Sequence, residues 1–161
     1  MKLNSPGMVQ RSHALAGALS MLLIAGFWIS SVAVEILAGA QAIAWVKAVI
    51  LALVPILVAC LVTAGISGAW LMRIRPSALA RRKQRRMALA AASGLLLLVP
   101  SAWLLADWSA GGRFDAVFYA VQFLELGAGA LNLALLGLNL RDGLRMRRAR
   151  LYVNRKTPIP A

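Results

Sequence analysis

Four apolar runs, each long enough to cross a bilayer and each ended by charge, leave this chain few folds to choose from. A transmembrane helix needs about 20 predominantly apolar residues to cross a hydrocarbon core of about 30 Å. The runs cover approximately residues 13–37, 47–72, 87–106 and 116–140, with a basic loop at 73–86 and a basic tail at 141–161. Of the 161 residues 61% are hydrophobic, against about 45–50% in soluble domains. The pattern predicts an all-α, single integral membrane domain over residues 1–161, a four-transmembrane-helix antiparallel bundle.

Charge sets the expected orientation. The formal net charge is +13, which by itself would also suit a nucleic-acid binder. Its distribution argues otherwise. Seven basic residues lie in "RIRPSALARRKQRRM" (73–87) and seven between Arg141 and Lys156; with Lys2 and Arg11, 16 of the 18 Lys and Arg fall on one side, leaving Lys47 and Arg113 for the other. Positive charge accumulates on the cytoplasmic side of membrane proteins, so both termini are expected in the cytoplasm, in a bacterial inner membrane. Trp and Tyr favour the two interfaces, and this topology places Trp45, Trp103, Trp108 and Tyr119 near the outer one, Trp70 near the inner one and Trp28 in the core. The expected partners are anionic lipid headgroups, contacted by Arg81, Arg82, Lys83, Arg85, Arg86, Arg145, Arg147 and Arg148, with a second copy or a partner membrane protein as a further possibility and no nucleic acid. Each such basic residue near an anionic surface contributes about 1 kcal/mol of attraction.

The first run competes with a signal-peptide reading, because Lys2 and Arg11 precede it and "AGAQA" (38–42) follows it. Its length from Ala14 to Val34 exceeds the usual apolar region of about 7–15 residues, and an uncleaved span is expected. Gly39 to Gln41 is the plausible turn between the first two runs. Pro76 disfavours helix at Arg75 and Ser77 can cap a helix that continues from Ala78 into the third run. Asp115 is placed to cap the fourth. Pro55 and Pro100 lie inside apolar helices, where each removes a backbone hydrogen bond and bends the axis.

The fourth run holds the most informative residues. Gln122, Glu125, Gly129, Asn132, Leu136, Asn139 and Asp142 recur at steps of 3, 4, 3, 4, 3 and 3, the spacing of one helical face. Acidic side chains facing lipid cost about 2.5–3.5 kcal/mol at a helix centre, so this polar seam should face protein or water, with Gly129 as a notch. Glu125, about 13–15 Å along the span at 1.5 Å per residue, is expected near mid-bilayer. With no basic residue read at comparable depth, it is expected to be protonated and to donate to Gln122, Asn132 or a neighbouring helix. Glu35 is a secondary candidate: "VEILAGAQA" (34–42) echoes "LELGAGALN" (124–132), an echo that compositional coincidence in alanine-rich spans explains more simply than inverted duplication. Glu35 itself is expected at the outer boundary.

Chemistry for catalysis is missing. The one histidine, His13, cannot supply two axial haem ligands, no His, Cys and carboxylate cluster suggests a metal, and no cofactor is expected. Cys60 has no partner for an intramolecular disulfide and reads as a packing residue. Phosphate-binding glycine loops and a G-x-S-x-G nucleophile turn are absent, and Asp107, Arg113 and Asp115 in one loop read as caps or solvated charges. The sequence therefore favours a non-catalytic membrane protein, an accessory, scaffold or assembly component whose seam (Gln122, Glu125, Gly129, Asn132, Asn139) packs against its own helices or a partner span. The alternative is a small proton- or cation-coupled transporter or channel with Glu125 as the binding carboxylate.

Overall fold

The computed structural model describes residues 6–74 and 78–156, with side chains described as far as Arg145. The described residues are helical apart from short turns, and no strand occurs among them: α1 (Pro6–Leu37), α2 (Ala40–Ile74), α3 (Ala78–Ser93), a π-helical turn (Gly94–Leu98), α4 (Val99–Ala110) and α5 (Ala116–Lys156). Four helical segments, Gly7–Leu37, Ala40–Ile74, Ala78–Ala110 and Ala116–Arg145, are long and apolar enough to cross a membrane.

The boundary between α1 and α2 differs from the sequence expectation in a way that matters. The chain breaks only at Ala38 and Gly39, and α2 starts at Ala40 rather than near Lys47. Alanines and isoleucine from Ala40 to Ala44 are good helix material once Gly39 has turned the chain, so the helix captures them. Lys47 then lies seven residues inside α2, about 10 Å along it at 1.5 Å per residue.

α3, the π-turn and α4 form one span whose irregularity has a local cause. Pro100 has no N–H and its ring crowds the carbonyl four residues earlier. The backbone widens just ahead of it, so that Val99 N–H bonds to Gly94 O across five residues. Pro55, in contrast, sits within an uninterrupted α2. α5 starts where Asp115 caps it: Asp115 Oδ1 accepts from Phe118 N–H at 2.9 Å, satisfying one of the free N–H groups of the first turn. The proposed Ser77 cap and the Arg75–Pro76 break lie outside the described residues, as does Lys2.

The helices meet at two ends of distinct chemistry. At the end holding the Gly39 and Gly111–Gly112 turns, Ile43, Leu105 and Phe118 form a buried cluster flanked by Val34, Trp108, Phe114 and Val121. At the opposite, basic end, Arg86 pairs with Asp142 at 2.7 Å and His13 Nδ1 lies 3.0 Å from Ala64 O and 3.1 Å from Ser67 Oγ. His13 thus docks α1 onto α2, and its ring packs over Gly68, where an added Cβ would lie 3.1 Å from the ring.

Candidate functional site: a polar cluster beside an apolar cavity

The α5 seam faces its neighbours along its whole length. Phe118, Gln122, Ala128, Gly129, Asn132, Leu136 and Asp142 are buried, with Glu125 and Asn139 partly so. Each polar member except Gln122 reaches another helix. Asn132 Nδ2 donates to Ala90 O at 3.3 Å and Asn139 Nδ2 to Lys83 O at 3.2 Å, joining α5 to α3. Asp142 takes Arg86, so this arginine, expected among the lipid-contacting residues, is committed inside the protein. Arg81, Arg82, Arg85 and Arg145 are exposed and Lys83 is half-buried, while the side chains of Arg147 and Arg148 lie outside the described residues. Gly129 is no empty notch. A Cβ there would stand 3.0 Å from Trp28 Cδ1, and the Trp28 indole N–H donates to Leu126 O at 2.9 Å.

The centre of the seam corrects the sequence reading. Glu125 is not without a basic neighbour: the Lys47 ammonium donates to Glu125 Oε2 and, at 3.3 Å, to Ser31 Oγ. Lys47 is 0% exposed. The pair therefore links α1, α2 and α5 at one point, and Glu125 acts as acceptor rather than as the donor expected. A buried ammonium without a carboxylate and hydroxyl around it would cost several kcal/mol, which is why Lys47 is found where those two groups meet. Sequence reasoning missed Lys47 because charge was used to mark the end of a span. A usable signal was present, since Ile43, Lys47 and Ile50 recur at steps of 4 and 3 and all three are buried.

Glu35 also belongs to this cluster. It lies within electrostatic reach of both Lys47 and Glu125, and its Oε1 is buried with no hydrogen-bond partner among the described residues. Gln122, one turn before Glu125, is 2% exposed and among the described residues neither its Oε1 nor its Nε2 has a partner. Lys47 thus pairs with Glu125, with a second carboxylate within electrostatic reach and the Gln122 amide one turn away.

Next to the cluster is a cavity of about 390 Å³, lined by all four spans, within the roughly 300–1,000 Å³ of ordinary ligand pockets. Its wall is apolar almost throughout, from Ile24 and Trp28 on α1 through Val58 and Leu61 on α2 to Leu98 of the π-turn. Ser31, Glu125 and Asn132 are its polar residues. Val62, Ile66 and Leu95 line it and are also exposed, so it opens sideways between α2 and the α3–α4 span.

Comparison with protein-family models, with curated proteins and with solved structures gives no match for this chain.

Proposed function

We propose that this chain is a non-catalytic accessory protein of a bacterial inner membrane, an antiparallel four-span bundle with both termini in the cytoplasm, that receives an apolar guest laterally from the bilayer. The observation that carries the reading is the side-opening cavity, walled by all four spans and framed by a seam whose polar groups mostly bond within the chain. A seam engaged in this way holds the walls apart and in register, and leaves little of itself for a partner span. The orientation rests on the charge asymmetry, and the exposed Arg81, Arg82, Arg85 and Arg145 are assigned to anionic headgroups.

Photolabelling in nanodiscs with an alkyl diazirine, followed by peptide mapping, tests this. Labels are expected on cavity residues such as Val58, Leu61 and Leu98, and are expected to disappear in Gly65→Leu, because Gly65 lines the cavity and a side chain there meets open space. Labelling confined to outward residues such as Leu22 and Phe123 in the wild type would remove the basis for a guest site.

A second reading is favoured by Glu35. Lys47 occupies Glu125 as a tethered cation, so in a proton- or cation-coupled transporter the exchanging group would be Glu35, whose Oε1 has no partner among the described residues. Proton-driven flux in proteoliposomes that vanishes in Glu35→Gln would establish transport; absence of flux in the wild type rejects it.

A further inference from the structure

The cavity is closed at one end and open at the other, and the difference points to its occupant. We propose that the guest is one acyl chain of an anionic phospholipid from the leaflet at the basic end, with the lipid phosphate held between Arg73 and Arg81. This rests on the guest-binding reading above and names its ligand.

Far from the basic end the cavity is shut. Ser31, Ile50 and Ala102 are 3%, 4% and 3% exposed, and the cluster of Ile43, Leu105 and Phe118 lies beyond them. The exposed lining residues, Val62, Ile66, Ala91 and Leu95, all belong to the other half. Ile66 and Val62 precede Arg73 by seven and eleven residues, about 10 and 16 Å along α2, against about 15 Å for half a hydrocarbon core. The mouth therefore opens within the leaflet at the basic end. On α2 the lining runs from Ile50 to Ile66, about 24 Å, so a volume of about 390 Å³ makes a slot for an extended chain rather than a chamber for a compact hydrophobe.

Helix register sets a pair of arginines above the mouth. On α2, Val62, Ile66, Ala69 and Arg73 follow at steps of 4, 3 and 4; back from Leu95 along α3, Ala91, Ala88, Gln84 and Arg81 follow at steps of 4, 3, 4 and 3. Each is the spacing of one helical face. Three residues join Ile74 to Ala78, which holds the two helix ends within about 14 Å of each other. Arg73 and Arg81 are both exposed, and among the described residues neither has a hydrogen bond or an ion pair, whereas Arg86, Arg113 and Arg141 each lie against an aspartate. Guanidinium forks match phosphate oxygens in geometry as well as charge. A phospholipid seated on the pair extends its chain down the two stripes that lead to the mouth.

The test uses the full-length protein in phosphatidylcholine nanodiscs carrying a trace of phosphatidylglycerol, or of phosphatidylcholine, with a diazirine near the end of one acyl chain. Labelling of Val58, Leu61 and Leu98 is measured relative to the outward Leu22 and Phe123, which corrects for lipid gathered around the whole protein. The phosphatidylglycerol probe is expected to label the cavity about fivefold more than its phosphatidylcholine counterpart, the factor that one basic residue adds near an anionic surface. In Arg73→Gln with Arg81→Gln this preference should fall to about twofold or less. Arg82→Gln with Arg145→Gln removes the same charge off the two stripes and should leave it unchanged. Equal cavity labelling by the two lipids in the wild type would overturn the anionic headgroup, and an equal loss in both double variants would overturn the assignment to Arg73 and Arg81. If neither lipid labels the cavity while the free alkyl diazirine does, the phospholipid is wrong and the guest site stands; if the alkyl diazirine also fails there, the underlying reading falls. The wild-type comparison needs no variant, so the inference stays testable if either double variant does not fold.

Discussion

A lysine and a glutamate decide how three of the helices are placed. Removing one partner of a buried ion pair costs about 3–5 kcal/mol because the other is left uncompensated, whereas replacing both with apolar residues is often neutral. Lys47→Met is therefore expected to destabilise the protein by about that amount, because Glu125 loses its cation while Glu35 remains within electrostatic reach of it. Lys47→Met combined with Glu125→Leu should recover most of the loss. Unfolding in SDS followed by circular dichroism measures both, and a double variant as weak as the single one would show that the pair is not the source. Gly129→Ala makes a second prediction at this scale. Its Cβ would press on Trp28 at 3.0 Å, and the indole cannot withdraw without lengthening its bond to Leu126 O. A loss of about 1 kcal/mol or more is expected from such overpacking, and it should disappear in a Trp28→Phe background, where the indole nitrogen no longer fixes the ring.

Within elements, the cap of α5 and the π-turn show how local chemistry sets geometry. The Phe118 N–H, and then the Arg113 guanidinium at 2.7 Å, hold the Asp115 carboxyl below its ordinary value of 3.8. A carboxylate whose pKa is depressed on folding adds stability that is fully present above its unfolded pKa and is lost as pH falls through the folded one. The thermal midpoint should therefore drop on acidification below about pH 4, and that part of the drop should be missing in Asp115→Ala, which has a lower midpoint at neutral pH. Identical acid profiles for the two proteins would contradict the assignment. The π-turn matters for the cavity, because Gly94, Leu95 and Leu98 all line it, so the proline that distorts the third span also shapes the guest site.

For the molecule as a whole, orientation is a prediction about charge. Neutralising Arg81, Arg82, Lys83 and Arg85 together should leave a mixed population of orientations. Single cysteines at Gly111 and Ala80, in a Cys60→Ala background, would report it through labelling by a membrane-impermeant reagent. An unchanged single orientation would mean that the tail after Arg141 suffices. Lys47 lies within α2, not in a loop, so Arg113 is the basic residue left for the opposite side, which strengthens the asymmetry behind the expectation.

The sequence by itself determined the helical class, the four membrane-length segments, the cap at Asp115 and the face of α5 that turns inward. All of these follow from local chemistry or from a period of 3.6 residues, which neighbouring residues report directly. Only the tertiary structure decided what that face meets. Lys47 looked like the end of a span because a charge next to an apolar run ordinarily marks the interface; its burial depends on Glu125, which is far away in sequence and reaches it from another helix. The cavity is of the same kind. No single helix encodes it, because it is the volume left where four walls fail to close, between a glycine covered by Trp28, a proline-induced π-turn and the side of α2.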